Sequence, residues 1–329
     1  MSLKDLRKSL GLLAPLFDDS EIMAIMVDGP ERVTVEKKGK IEETGIRFKS
    51  NDELKEAVET ILNESGVGIE DCKTVYDVRL TDKIRMLAVL SPTAVNGHSI
   101  IFRKWASSQM SWDKLLEYRA VSPEMVALIR SALSAHISIL IAGGTASGKS
   151  TFTNCVAESI PTEERVVVVE QTHEFQFTHP RTVFLEVDEA VHVSINDLLS
   201  TGSKMRPDWL VVGELLGAEA MRTMQIFSNG HSGITTIHAN SIENALTRLE
   251  TMCLTANLGL GLNEIREMIA SSLRLILYLE CLEPNRNRKV MQVVELCGLV
   301  QGRYILKPLM SYNAEKDKFI SLGNSEPGW

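Results

Sequence analysis

The spacing of apolar residues changes character along the chain and divides it. Over Ser2–Phe17, Leu3, Leu6, Leu10, Leu13 and Leu16 recur at three- and four-residue intervals, the period of a helix packed by one face. Two short β-like runs follow, Glu21–Val27 and Arg32–Glu36, and the Asp28-Gly29-Pro30-Glu31 between them predicts a hairpin. Asn51-Asp52-Glu53 can cap a helix that carries Leu54, Ala57, Val58, Ile61 and Leu62. Strand-like runs come next near Thr74–Leu80, Ile84–Leu90 and Ser99–Arg103. Together these predict a smaller N-terminal α+β domain over residues 1–104, an antiparallel sheet backed by helices. Polar and turn residues, among them Ala106-Ser107-Ser108 and Val121-Ser122-Pro123, surround one short helical pattern at Trp112–Tyr118 and predict a linker over 105–122. From Pro123 helices alternate with apolar strands, which predicts an α/β domain with a largely parallel sheet over 123–310. The last stretch, rich in Ser, Gly and Pro from Ser321 on, predicts a loose tail over 311–329.

Within the second region the buried-strand pattern Ile139-Leu140-Ile141-Ala142 breaks into Gly143, Gly144, Thr145, Ala146, Ser147, Gly148, Lys149, Ser150 and Thr151. That is the spacing of a phosphate-binding loop. Glycines let successive N–H groups curl round an anion, Lys149 adds a point charge for the β- and γ-phosphates, and the Ser150 hydroxyl can ligate Mg²⁺. The following helix turns its positive end toward the same anion. The loop implies a bound nucleoside triphosphate.

Three further apolar strands each end in a polar group: Val166–Val169 in Glu170, Trp209–Val212 in Gly213-Glu214, and Ile234–Ile237 in His238. If all run parallel to the strand feeding the loop, these groups share the carboxyl edge where open α/β sheets bind ligands. Glu214 is then the candidate carboxylate that orders or deprotonates the attacking water. Glu170 is a candidate for holding Mg²⁺ through its waters, and His238 for a hydrogen bond to the γ-phosphate. Asp208 opens its strand instead, roughly 20 Å from Glu214 at ~3.3 Å per residue, and is read as a capping residue. His231 and His238 do not have chelating spacing.

Composition narrows the setting. At 329 residues, with 44% hydrophobic and 24% charged side chains, the chain is long enough for two cores, and it contains no run of about 18 apolar residues that would span a bilayer. No signal-peptide order is present at its start. The cysteines Cys72, Cys155, Cys253, Cys281 and Cys297 form no C-x-x-C pair, so free thiols in a reducing, cytoplasmic compartment and no structural zinc are expected. A net charge of −8 argues against a general electrostatic grip on nucleic acid.

The segments Gly143–Thr151, Arg165–Phe175 (RVVVVEQTHEF), Met205–Gly217 (MRPDWLVVGELLG) and Gly230–Asn240 (GHSGITTIHAN), followed by Ala245–Met252, resemble the Walker A, Asp, Walker B and His boxes of the secretion ATPase superfamily. Ile22–Glu36 and Ile100–Lys104 are similar to the amino-terminal domain of its tight-adherence pilus and type IV secretion branch. The resemblance covers about Leu13–Leu309. It implies a RecA-like P-loop ATPase domain, ATP and Mg²⁺ as ligands, and nucleotide held between the two domains. It further implies hexameric rings at the cytoplasmic face of the inner membrane, with inner-membrane proteins of a pilus or secretion apparatus as partners. Arg85 and Arg103 match basic positions of the family's first domain, candidates for neutralising γ-phosphate charge. Ala146 stands where the family has glycine, Gln171 where its Asp box has Asp, Lys204 where arginine is common and Leu216 where arginine follows Walker B. Glu170 and Glu174 remain, so Mg²⁺ binding is expected to survive. The competing functions are a nucleic-acid translocating motor, which predicts stimulation by DNA or RNA, and a small-molecule kinase, which predicts a phosphorylated product.

Overall fold

The computed structural model describes residues 7–37, 40–70, 72–81, 83–105, 110–187, 192–283, 286–322 and 327–329. Leu3 and Leu6 of the expected first helix, and Ala106-Ser107-Ser108 of the expected linker, lie outside these residues. The chain forms two compact units, Met1–Gln109 and Met110–Trp329.

In the first unit the chain makes a 3₁₀ turn over Gly11–Leu13 and a short helix α1 (Ala14–Asp18). The continuous helix expected to Phe17 is broken because Gly11 adopts a left-handed φ of 49° and Pro15 can only start a new turn. Strands β1 (Ile22–Asp28), β2 (Val33–Lys37) and β3 (Lys40–Glu43) follow, then α2 (Asn51–Glu64), β4 (Val75–Thr81), β5 (Ile84–Val89) and β6 (Ser99–Lys104). Ser50 caps α2, its hydroxyl accepting the Glu53 N–H. The strands form a six-stranded sheet in the order β3-β2-β1-β6-β5-β4, with antiparallel neighbours throughout. Alternation sends Ile84, Met86, Ala88, Ile100 and Phe102 into the core with Leu54, Val58 and Ile61 of α2, and leaves Arg85 and Arg103 on the other face.

The second unit contains α3 (Trp112–Glu117), α4 (Pro123–Ser134), β7 (Ile139–Gly143), α5 (Lys149–Glu158), β8 (Val166–Glu170), β9 (Thr182–Glu186) and α6 (Ile195–Lys204). It continues through β10 (Trp209–Leu215), α7 (Glu219–Ser228), β11 (Ser232–His238), α8 (Ile242–Thr255), α9 (Leu262–Ser272), β12 (Leu275–Leu282), β13 (Asn287–Val300), β14 (Arg303–Asn313) and β15 (Lys318–Ser321). Its nine-stranded sheet has the order β15-β14-β13-β12-β7-β11-β10-β8-β9. The run β12-β7-β11-β10-β8-β9 is parallel, and β13, β14 and β15 extend it antiparallel. The parallel strands read as unbroken apolar runs because both faces are covered. One face packs Ile139, Ile141, Val166, Val168, Trp209 and Val211 against α4 and α5. The other packs Leu140, Val167, Val169, Leu210 and Val212 against α7, α8 and α9.

Two sequence expectations change here. Residues 110–122 belong to the second unit rather than to a linker, because Trp112, Leu115, Ala120 and Val121 are buried in its core. The Trp112 indole donates to Ser159 Oγ at 2.6 Å and stands edge-on to Phe152. Nor is the stretch after Ser311 loose where described: β14 runs on to Asn313, β15 pairs with it, and the Gly328 N–H donates to the buried Glu295 carboxylate. Phe319 and Trp329 pack against the same core, apolar anchors that the polar composition of the segment conceals.

Candidate active site

The site grows from the carboxyl end of β7, the central strand of the nine-stranded sheet. Gly143 must be glycine, since a Cβ there would lie 2.5 Å from Ser147 Oγ and 2.6 Å from the Leu279 carbonyl. The loop turns through left-handed residues at Ala146 (φ 60°) and Gly148 (φ 93°), the alternation that points successive N–H groups into one concavity. Ala146 keeps the conformation that glycine would adopt without strain. Helix α5 starts directly after Gly148 with no side-chain cap, so its first N–H groups are left for an anion.

Lys149 arches back over the loop. Its Nζ donates to the Gly143 carbonyl at 3.0 Å and the Gly144 carbonyl at 3.3 Å, and lies 3.4 Å from Glu214 Oε1. Parity alone does not put Glu214 there. Trp209 and Val211 face α5 while Leu210, Val212 and also Leu215 face α7, so the alternation slips by one residue between Val212 and Leu215. The slip is a β-bulge at Gly213, where the pairing steps from Val212↔Thr235 to Glu214↔Thr236. The bulge turns Glu214 toward the face that carries the phosphate loop, the re-aiming for which bulges serve. Thr235 and Thr236 hydroxyls both donate to the Gly213 carbonyl, at 3.3 and 3.5 Å.

Glu170 is placed differently from the expectation of a role in holding Mg²⁺. Its side chain is buried, Oε1 accepts the N–H groups of Glu174 (2.9 Å) and Phe175 (3.0 Å), and Oε2 lies 3.0 Å from His173 Nδ1. Those contacts fold residues 170–175 into a tight turn, and the turn delivers Glu174, whose Oε2 accepts the Ser150 hydroxyl at 3.2 Å. The carboxylate beside the candidate Mg²⁺ ligand is therefore Glu174. A serine hydroxyl and a carboxylate are hard oxygen donors of the kind Mg²⁺ takes. Gln171 is exposed. His238 ends β11 with its backbone in register with Gly143, and the parity of Ile234, Thr236 and His238 puts its ring on the α5 side. Asp208 accepts the Arg165 N–H at 2.6 Å, tying the start of β10 to β8 at the edge away from the loop. Leu216 is 63% exposed.

One group of the second unit not foreseen in the sequence stands beside the loop. Arg288, the second residue of β13, donates Nε–H to the Ala146 carbonyl at 3.0 Å. No local motif announces it, because 142 residues separate the partners. In the first unit, Arg79, Arg85 and Arg103 occupy adjacent strands in direct register. Like charges so placed repel, and Asp77 offsets part of this through a 2.5 Å contact with Arg85 Nε.

The profile of the family described as type II/IV secretion system protein matches residues 7–325. Conjugal transfer protein TrbB of Rhizobium radiobacter is 27% identical over 307 residues, 92% of this chain and 92% of that one. Among solved structures, the ATPase DotB of Yersinia pseudotuberculosis aligns with a TM-score of 0.63 at 15% identity, covering 89% of this chain and 79% of that one. The pilus retraction motor PilT with bound ADP aligns at 0.58 and 16% identity, covering 95% of this chain and 84% of that one. At such identities these two structures speak to the fold.

Proposed function

We propose, from the premise that this chain belongs to the type II/IV secretion system protein family, that it is an ATP hydrolase serving as the motor of a secretion or pilus apparatus. The observation that carries the chemistry is the Lys149 ammonium 3.4 Å from Glu214 above the uncapped start of α5. The loop N–H groups and Lys149 hold the β- and γ-phosphates, and charge developing on the transferred phosphoryl group falls within their field. Glu214, half exposed at the mouth, orients the attacking water and accepts its proton. Glu174 and the Ser150 hydroxyl, 3.2 Å apart, would hold Mg²⁺, which would supply charge neutralisation for the phosphates. Glu170 and His173 act by fixing the turn that carries Glu174. His238 faces the γ-phosphate. Arg85 and Arg103 neutralise γ-phosphate charge of the same or a neighbouring subunit.

The assembly we infer is a homohexameric ring acting at the inner face of the inner membrane through membrane proteins of the apparatus. Its support is the family itself and the kinship with a conjugal transfer protein. No helix among the described residues is long and apolar enough to cross a membrane, which fits a peripheral attachment. The test is phosphate release with ATP and Mg²⁺ by wild type and Lys149→Ala, alongside sizing with and without nucleotide. Loss of most turnover in the variant and a nucleotide-promoted ring are expected; wild-type turnover in Lys149→Ala overturns the assignment of the loop.

A further inference from the structure

Strand β12 outruns its neighbour β7. The pair Leu279↔Gly143 is the last between them, yet β12 continues to Leu282 and pairs with β13 as Cys281↔Arg288 and Leu282↔Asn287. At ~3.3 Å per residue the hairpin rises about 10 Å above the sheet edge from which the phosphate loop springs. Arg288 stands in that raised wall and leans over the loop. Its Nε–H donates to the Ala146 carbonyl at 3.0 Å, and its Cδ lies 3.0 Å from where a Cβ on Gly148 would sit. The guanidinium is exposed, and its two terminal amino groups have no partner among the described residues.

Which part of a nucleotide meets this group follows from the sheet order. Relative to β7, the acids of the proposed hydrolytic end lie toward β10 and β8: Glu214 is the penultimate residue of β10, and Glu174 follows β8 and reaches Ser150. The γ-phosphate therefore lies on that side, and the nucleoside leaves the loop on the opposite side, where β12 and β13 stand. Arg288 meets the loop at the Ala146 carbonyl, whereas Lys149, the group for the phosphates, takes the carbonyls of Gly143 and Gly144, so the two cations engage different parts of the loop. A planar cation with one edge fixed and its face free is suited to stack on an aromatic ring.

We propose that Arg288 is the base-stacking residue of the nucleotide site, its Nε–H anchored on Ala146 and its guanidinium plane laid against the purine of the bound nucleotide. The inference rests on the reading of Gly143–Thr151 as a nucleotide-binding loop. Because stacking is common to ATP and ADP, the residue supports binding of both equally and leaves discrimination between them to the groups at the γ end.

The experiment compares ADP with inorganic pyrophosphate, which shares the phosphates and lacks the nucleoside. Binding of each to the full chain is measured by calorimetry for wild type, Arg288→Ala, Arg288→Lys and Lys149→Ala. Arg288→Ala is expected to weaken ADP about tenfold, in the range seen for loss of one base–side-chain stack, while pyrophosphate binds as to wild type. Arg288→Lys keeps charge and a donor but lacks the flat face, so it recovers little of the ADP affinity. An equal loss of ADP and pyrophosphate, unchanged ADP affinity in Arg288→Ala, or full recovery with lysine each overturns the stacking role. Lys149→Ala weakens both ligands if the loop reading holds; binding of both unaffected by that change overturns the loop reading and with it the inference.

Discussion

Replacing Glu170 separates a carboxylate that builds the site from one that does chemistry. The side chain is 2% exposed, and one oxygen accepts the N–H groups of both Glu174 and Phe175. Glu170→Ala strips those two backbone donors of their partner. At about 1–3 kcal/mol for each orphaned group, the loss of stability comes to about 2–6 kcal/mol, and the 170–175 turn no longer holds Glu174 against Ser150. Glu170→Gln is nearly isosteric. Its amide oxygen can take both N–H bonds, and its NH₂ can face His173 Nδ1 in place of Oε2. We expect Glu170→Ala to unfold at much lower denaturant concentration and to lose turnover, and Glu170→Gln to stay within a few-fold of wild type in both. The assays are urea unfolding followed by circular dichroism and steady-state phosphate release. A Glu170→Gln protein as stable as wild type but slowed a hundredfold or more would refute the reasoning and put the Glu170 charge in the reaction itself.

Arg103→Ala, which leaves the Walker segments intact, is expected to keep near-normal ADP affinity while losing preference for ATP and most turnover; calorimetry beside hydrolysis checks it, and unchanged values for all three would make Arg103 an ordinary surface residue. Gly233→Ala places a Cβ 1.9 Å from the Phe227 ring in the buried face of β11, an overpacking expected to cost about 3 kcal/mol, read as a lower urea midpoint with an unchanged m-value. His98 is buried with Nδ1 accepting the Ser91 N–H, and burial, aided by the nearby Lys55 charge, pulls its pKa below the ordinary 6.5. The first unit is therefore expected to lose stability as pH falls through 6.5 toward that lower value, because the unfolded chain takes up the proton first. Ring-proton NMR titration of His98 together with urea unfolding between pH 8 and pH 5 checks this, and a titration midpoint above 6.5 would contradict it.

The strand-end positions of the site are legible in the sequence. The runs Val166–Val169 and Ile234–Ile237 put Glu170 and His238 at the ends of strands, but with both faces covered they carry no clean alternation, and the face each group takes comes from the folded sheet. Glu214 is singled out in the sequence by its place after an apolar run, but the reason it faces the phosphate loop is the bulge at Gly213, and an isolated glycine does not say which way a strand will slip. Strand length alone puts Asp208 at the start of β10, away from the phosphate loop, and there it accepts the Arg165 N–H. Glu170 and Glu174 are four residues apart in a turn, where no periodicity assigns direction. Which of them reaches Ser150 is decided by the two N–H bonds that close the turn. Local reading failed differently at 110–122 and 311–322. Short polar segments there hold a few apolar anchors, Trp112, Val121 and Phe319, whose partners are distant in sequence. Arg288 shows the same limit, since only tertiary structure brings it to Ala146.

The most direct test of the central claim is the pairing of nucleotide affinity with turnover in Glu214→Gln. The amide keeps the shape of the side chain and its hydrogen bonding but is not basic, so the account predicts ATP binding close to wild type and phosphate release lower by about 10²–10⁴-fold, the range for loss of a positioned general base. Phosphate release at the wild-type rate, or a loss explained wholly by weaker ATP binding, would contradict it.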